Sequence, residues 1–402
     1  MRQIVLIGIL VLLSAWSIFF ISKIFALNNI GDIFFQFNST FEESSRQVTD
    51  ELFDPLDSLS GIENIKDNPF ALVIFLIEHF SQFEKKGVKD SYLTINEILT
   101  KKVSNQKSGA IATVAIVQNL GWDIQLFYNE RECYLGLNLS DDWKIRKGTW
   151  IEKDRRRYYL KEFDTRTPLG KLRYDNPASV YQSLRIDNTN LKPFPLIKSI
   201  PHFSRSPVHT KRLKWLFKNS VYQLTISIPA EQAEWTMNLP PSLYGMVSCG
   251  IEELKNLGII DKLKFLVSNF DEFDRVNFLL KFCQSESIFS YDNSLPIKSI
   301  TNQLIDGKND CDGRSVFLYC LLWSVLDYPD SNIVFLSWPN HVALGLKPRT
   351  DSALAILMEK GFYIGDNYFI LDPAYLGDTH WGSKMDRLSD DCEIIKIATP
   401  LR

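Results

Sequence analysis

Cys311, His341 and Asp372 are the residues of this sequence whose types and order best suit catalysis. Cys311 stands just before the apolar stretch Val316 to Leu326, which predicts a buried helix. Unpaired backbone N–H groups at a helix start lower the pKa of a thiol and favour the nucleophilic thiolate. His341 begins one predicted strand and Asp372 ends another. This is the chain order of a nucleophile, a general base and a group that orients the base.

Each of these residues also has a purely structural interpretation. Most cysteines are small buried hydrophobes, and Cys320 in the same predicted helix fits that description. A histidine beside a Pro-Asn turn is commonly a hydrogen-bonded structural residue, and an Asp-Pro pair can simply end a strand. A zinc site formed by Cys311, His341 and another thiol is a further alternative, but the cysteine spacing gives it no support. The sequence therefore predicts neither a metal nor a cofactor.

The elements that must position these groups follow from the pattern of apolar and turn residues. Residues 332–336 and 342–346 predict two strands joined by a turn that contains Pro339. Residues 362–371 predict a hairpin whose turn is Gly-Asp-Asn. The intervening residues 347–360 predict a loop or a short helix. A helix followed by antiparallel strands would carry all three chemical groups.

From about Phe273 to its C-terminus the chain resembles the transglutaminase-like superfamily of cysteine enzymes. The resemblance rests on Asp-Cys-Asp-x-Arg-Ser at 310–315, His-Val-Ala-x-Gly-Leu at 341–346 and Leu-Asp-Pro at 371–373. Residues 277–284 also look like the helix that precedes the nucleophile in bacterial members. The resemblance implies an α+β, papain-like core, in which the helix of the nucleophile packs on an antiparallel sheet.

The resemblance also implies roles for the three residues: Cys311 is the nucleophile, His341 the base and Asp372 the orienter. Two departures from the pattern of the family are visible. Many relatives carry a second acidic residue where Gly313 stands, and the interval between the histidine and the aspartate is longer than in compact members. Neither departure removes a catalytic group.

The N-terminal residues 1–28 predict a transmembrane anchor. Ile4 to Ser22 is uncharged, and at about 1.5 Å per residue such a helix spans the roughly 30 Å hydrocarbon layer. A cleavable signal peptide is the alternative, but small residues are not at the offsets that cleavage needs. Arg2 before the span favours an inner-membrane, single-pass protein with its bulk in the bacterial periplasm. Residues 29–68 predict a juxtamembrane segment.

A weak internal repeat predicts that residues 69–174 form a degenerate transglutaminase-like domain. Tyr-Leu-Gly-Leu at 134–137 resembles Ala-Leu-Gly-Leu at 343–346, within a similar order of helix, strands and hairpin. In this alignment Glu162 takes the place of Asp372, and no triad is present. Chance is the alternative, because this order of elements is common.

The rest of the chain is divided by a stretch rich in proline. Residues 175–241 predict a small β-rich middle domain, and residues 242–402 predict the catalytic domain. With 402 residues, 45% of them hydrophobic, the chain can build several cores. Its net charge of -3 argues against a nucleic-acid partner. Its six cysteines do not have the spacing of a disulfide scaffold.

The sequence thus favours a membrane-anchored cysteine enzyme that acts on amide bonds of a protein or peptide substrate. Water as acceptor gives a peptidase or amidase, and an amine as acceptor gives transglutaminase-type transfer. The sequence does not choose between the two acceptors. The alternative is a membrane-tethered binding or assembly subunit with a vestigial enzyme fold and envelope proteins as partners.

Overall fold

The computed structural model describes the chain from Asn68 onwards, with gaps. The described residues are 68–82, 84–85, 103–104, 106–128, 133–143, 150–162, 182–184, 191–197, 200, 203, 208–291, 297–375, 379–383 and 392–397. The expected anchor at 1–28 and, apart from Asn68, the juxtamembrane segment at 29–68 lie outside these ranges. Among the described residues, no helix combines the length and apolar character that a membrane span requires.

The first described unit joins two helices to a five-stranded antiparallel sheet. In chain order its elements are α1 (Pro69–Ser81), β1 (Glu84–Lys85), β2 (Val103–Ser104), α2 (Gln106–Asn119), β3 (Ile124–Tyr128), β4 (Cys133–Asn138), β5 (Trp150–Lys153), β6 (Arg156–Glu162) and β7 (Gln182–Leu184). The sheet has the order β5–β6–β4–β3–β7, while β1 and β2 form a separate parallel pair. Helices α1 and α2 pack together, and α2 also contacts β3 and β4.

A long hairpin and four helices follow. They are β8 (Val208–Phe217), β9 (Ser220–Pro229), α3 (Ala230–Thr236), α4 (Leu243–Asn256), α5 (Ile259–Val267) and α6 (Glu272–Gln284). Lys218 and Asn219 turn the hairpin with φ angles of 47° and 63°, which match the twist of two-residue hairpin turns. Trp215, on the buried face of β8, lies edge-on to Phe282 of α6, with 4.8 Å between the ring centroids. The hairpin is therefore packed against α6.

The residues expected to form one β-rich middle domain, 175–241, are distributed differently in the structure. β7 pairs with β3 and completes the first sheet, so that sheet extends beyond residue 174. Lys192 and Phe194 also bond to backbone groups of the first unit. The hairpin β8–β9 is a separate two-stranded element, because its alternating apolar side chains are buried against helices and not against a second sheet.

The C-terminal unit carries the three candidate catalytic residues. Its elements are β10 (Ser290–Tyr291), α7 (Ile300–Asp306), β11 (Lys308–Asn309), α8 (Cys311–Val325), β12 (Ile333–Trp338), β13 (His341–Leu346), α9 (Asp351–Lys360), β14 (Tyr363–Ile364), β15 (Tyr368–Leu371) and β16 (Glu393–Ile395). The sheet is antiparallel, in the order β14–β15–β13–β12–β16, and α8 packs on β13. The expected α+β class with antiparallel sheets is confirmed.

The two five-stranded sheets have the same strand order and corresponding registers. Gly136 pairs with Leu160 between β4 and β6, as Gly345 pairs with Ile370 between β13 and β15. Both glycines are needed for space: a Cβ on Gly136 would lie 2.2 Å from a ring atom of Phe127, and one on Gly345 would lie 2.8 Å from a neighbouring Cβ. That the first unit is a degenerate copy of the second stays a prediction, and the shared topology supports it.

Candidate active site

Cys311 is the first residue of α8 and is half-buried. Asp310 precedes the helix in an extended conformation, and its Oδ1 accepts the N–H of Gly313 at 3.2 Å. Asp312 Oδ1 accepts the same N–H at 3.2 Å. An acidic residue before a helix is a common cap, because it binds N–H groups that the first turn leaves unpaired. The thiol thus lies at the positive end of the helix dipole.

His341 begins β13 and lies opposite Trp338 of β12 in the strand pairing. The ring centroids of these two residues are 6.0 Å apart, and the His341 side chain is 26% exposed. Ser315 joins the helix to this strand, because its hydroxyl donates to the carbonyl of Val342 at 3.1 Å. The pairing of β12 and β13 therefore brings the imidazole to the start of α8.

Asp372 directly follows β15, and its side chain is only 3% exposed. Its Oδ2 lies 2.7 Å from His341 Nε2. Its Oδ1 accepts the backbone N–H groups of Ala374 at 2.9 Å and Tyr375 at 3.2 Å. Since both carboxylate oxygens have donors, the orientation of the carboxylate is fixed. The structure thus brings Cys311, His341 and Asp372 together.

The imidazole of His341 lies between two acidic groups. Burial alone would lower its pKa, but hydrogen bonds to Asp372 and Cys311 and their charges outweigh burial and raise the pKa of His341 to about 10. Because Asp372 occupies Nε2, Nδ1 is the nitrogen left for the sulfur of Cys311. At neutral pH an imidazolium is therefore favoured, with its positive charge beside the sulfur.

The other cysteines differ from Cys311 in burial. Cys133, Cys249, Cys283 and Cys320 are buried, and burial raises the pKa of the last three well above the usual range of a thiol. Cys392 is half-buried, as Cys311 is. Within the described ranges, no three His, Cys, Asp or Glu side chains are arranged to hold a metal ion. The thiol of Cys311 is hydrogen-bonded to the imidazole of His341.

Two acidic residues, Asp310 and Asp312, flank the thiol of Cys311 in the sequence. Burial, together with a hydrogen bond to Asp312 and the charge of that residue, raises the pKa of Asp310 to about 8. The carboxyl group of Asp310 therefore keeps its proton over much of the neutral range. In the sequence these two residues stand out only as part of the motif at 310–315, since a sequence cannot show how far a carboxyl group is removed from water.

Two polar residues beside the site have roles that the sequence analysis missed. Arg314 is 1% exposed, and its guanidinium donates to the backbone carbonyls of Cys283 and Pro373. Gln284 donates to the carbonyl of Asp372 at 2.8 Å. A signal for Arg314 was present in the sequence, because a cation one turn into an apolar helix needs a buried set of acceptors. Gln284 gave no such signal, since it ends a helix where polar residues are usual.

Comparison of the chain with models of protein families, with curated proteins and with solved structures finds no match.

Proposed function

We propose that the C-terminal unit is a transglutaminase-like cysteine enzyme that acts on amide bonds of proteins or peptides. The observation that carries this proposal is the 2.7 Å contact between His341 Nε2 and Asp372 Oδ2, with Cys311 hydrogen-bonded to the same imidazole. A nucleophile, a base and an orienting group in mutual contact are the parts that covalent catalysis at a carbonyl needs.

In the proposed acylation step, the Cys311 thiolate attacks the carbonyl carbon of the substrate amide. The carbon–sulfur bond forms while the electron pair of the carbonyl moves to oxygen. The intermediate then collapses, the carbon–nitrogen bond breaks, and His341 gives its Nδ1 proton to the departing nitrogen as general acid. A thioester remains on Cys311, and ammonia or an amine leaves.

Backbone N–H groups at the helix start are suited to stabilise the negative oxygen of this intermediate. The N–H of Gly313 is taken by Asp310 and Asp312, and that of Arg314 donates to the Asp310 carbonyl at 3.1 Å. Among the described residues, the N–H groups of Cys311 and Asp312 have no acceptor. Aligned backbone donors of this kind are a frequent source of oxyanion stabilisation.

In deacylation, neutral His341 removes a proton from the acceptor, which attacks the thioester and releases Cys311. Water as acceptor gives hydrolysis, and a substrate amine gives acyl transfer. We favour hydrolysis, because water always has access to a half-buried thiol. The same proposal keeps the expected anchor at 1–28 and an extracytoplasmic location, with envelope proteins as candidate substrates.

Thiol reactivity tests the proposal without knowledge of the substrate. The folded protein is treated with a limiting amount of iodoacetamide at neutral pH, and alkylation of each cysteine is followed by mass spectrometry of peptides. Cys392 is a built-in control, because it is the other half-buried thiol. We expect Cys311 to react at least about tenfold faster than Cys392, and His341→Gln to remove this difference, since reactivity follows thiolate character.

Hydrolysis of a mixed peptide or protein-extract substrate, measured as new amine groups, then tests the reaction itself. Cys311→Ser keeps the size of the side chain, and we expect it to lose nearly all activity. Cys392→Ser is the matched control and should retain the parent rate. Equal alkylation of the two cysteines in the parent protein would contradict the proposed nucleophile and favour a binding role for this unit.

A further inference from the structure

Arg314 is a buried cation one helical turn after Cys311. Its side chain is only 1% exposed, and in the part of the chain that the structure describes no carboxylate forms an ion pair with it. Removing a charge from water without an acidic partner is costly unless hydrogen bonds replace the lost hydration. The acceptors that replace water around Arg314 are therefore informative about its role.

The guanidinium of Arg314 donates only to backbone carbonyls, and these belong to separate segments. Nη1 lies 3.3 Å from the carbonyl oxygen of Cys283 and 3.4 Å from that of Pro373, and Nη2 lies 2.9 Å from that of Phe289. Cys283 is at the end of α6, while Pro373 is the residue after Asp372. One side chain on the helix of the nucleophile thus binds both α6 and the turn that carries the orienting carboxylate.

Gln284, the last residue of α6, also binds this turn. Its Nε2 donates to the carbonyl of Asp372 and to the hydroxyl of Thr379, each at 2.8 Å. The main chain of the turn is consequently held at two successive carbonyls, that of Asp372 by Gln284 and that of Pro373 by Arg314. The side chain of Asp372 cannot turn away from His341 without breaking these contacts or those of its own Oδ1.

We infer that Arg314 is a positioning residue of the candidate active site, which fixes the Asp372–Pro373 turn relative to the helix that carries Cys311. The inference rests on the proposed function and deepens it. Arg314 acts through Asp372: with the turn held, the carboxylate stays within hydrogen-bond distance of His341, and the imidazole stays beside the sulfur.

The geometry of the contacts requires arginine and not merely a cation. The planar guanidinium directs its N–H groups in fixed directions, and here Nη1 and Nη2 reach the carbonyls of different residues, Cys283 and Phe289. A lysine ammonium keeps the charge but has a single nitrogen, which cannot take the places of both Nη1 and Nη2. Arg314→Lys therefore separates the contribution of the positive charge from that of the two donor nitrogens of the guanidinium.

Protonation of His341 is the readout, because a merely structural role of Arg314 would leave it unchanged in the folded protein. The chain has five histidines, so the imidazole resonance of His341 can be assigned in an NMR titration by comparison with His341→Gln. In the parent we expect a midpoint at about 10. In Arg314→Met and Arg314→Lys we expect it to fall by about one unit or more, since Asp372 is then held less closely. The alkylation rate of Cys311 should fall with it.

Arg349→Met is the matched control. Arg349 stacks on Tyr328, with 3.9 Å from its Cζ to the ring centroid, and its Nε lies 3.5 Å from Glu272 at the opposite end of α6. Its loss should lower stability and leave the titration of His341 unchanged. If Arg314→Met does not fold, Gln284→Met removes the other contact to the turn without burying or removing a charge, and it should shift the midpoint in the same direction.

The outcomes separate this inference from the proposed function. A high midpoint in the parent that persists in Arg314→Met and Gln284→Met would overturn the positioning role and leave the triad intact. Full recovery in Arg314→Lys would show that charge alone matters, and would also overturn it. A parent protein in which His341 titrates like an ordinary histidine would overturn both the inference and the triad on which it rests.

Discussion

The carboxamide of Asn309 occupies the space that a side chain on Gly313 would need. A Cβ on residue 313 would lie 2.0 Å from Asn309 Oδ1. That oxygen accepts the N–H of Asp310 at 3.0 Å, and Asn309 Nδ2 donates to Gln303 Oε1 at 2.5 Å. Asn309 is 3% exposed, so it cannot move into solvent without giving up these bonds. The small residue at 313 is therefore matched to the amide of Asn309, two residues before Cys311.

Gly313→Ala should destabilise the protein by about 1–3 kcal/mol, as overpacking of a tight site commonly does. The change should cost much less in a protein that already carries Asn309→Ala, because the clashing carboxamide is then absent. Denaturant unfolding of the parent, the two single variants and the double variant measures this coupling. Strictly additive free energies of unfolding would show that the two residues do not compete for space.

Stability should depend on pH through His341. Its pKa rises from 6.5 to about 10 on folding, so the folded state binds the proton more tightly. This contribution to the free energy of unfolding is fully present below 6.5 and is lost as the pH rises through about 10. The stability advantage of the parent over His341→Gln should therefore shrink across that window. An advantage that grows with pH would contradict the imidazolium assigned to the folded state.

The local elements around the site were predictable from the sequence because short-range signals determine them. The expected strands at 332–336 and 342–346 correspond to β12 and β13, and the expected hairpin at 362–371 contains β14 and β15. Residues 347–360, for which a loop and a short helix were both open, contain α9. Alternating apolar residues and a glycine-containing turn carry enough information for such elements.

Long-range pairings were less predictable, and they account for what the sequence analysis missed. β7 and β16 close the edges of the two sheets, but each is only three residues long, too short to show a clear alternating pattern. The acceptors of Arg314 are carbonyl groups, which every residue possesses, so no side-chain pattern reveals them. The order of Cys311, His341 and Asp372 suggested a site, whereas the residues that hold it became visible only through packing.

Lys211 provides a test of how the hairpin β8–β9 is attached. Its Nζ donates to the carbonyls of Leu304 and Ile305 at the end of α7, at 2.8 Å for Ile305. Cations at this end of a helix bind carbonyls that lack helical partners. Lys211→Met should lower the free energy of unfolding by about 1.5–3 kcal/mol, the usual range for hydrogen bonds to charged groups.

Lys214 of the same strand is the control for this prediction. Its side chain is exposed, while its backbone carbonyl accepts the hydroxyl of Ser285 at 2.9 Å and that of Ser287. Lys214→Met should change the free energy of unfolding by no more than about 0.5 kcal/mol, as surface substitutions usually do. Equal losses in the two variants would mean that the contacts of Lys211 with α7 add nothing beyond a general effect of charge.

Asp372→Asn should inactivate the site by moving the ring proton of neutral His341 from Nε2 to Nδ1. The N–H groups of Ala374 and Tyr375 need an acceptor at the Oδ1 position, so the amide oxygen is expected there. The amide NH2 then faces Nε2 of His341, which must become an acceptor. The ring proton moves to Nδ1, on the side of the sulfur, and the neutral imidazole can no longer take the thiol proton.

Amide hydrolysis should fall by about a hundredfold or more in this variant, the range associated with loss of a general base, and Cys311 should lose its alkylation advantage over Cys392. Asp366→Asn is the matched control, because Asp366 lies in the exposed turn between β14 and β15, away from His341. The midpoint of the His341 titration should also fall in Asp372→Asn, since the carboxylate that favours the imidazolium is gone. Parent-like reactivity with an unchanged midpoint would show that the 2.7 Å contact between His341 and Asp372 does not control the base.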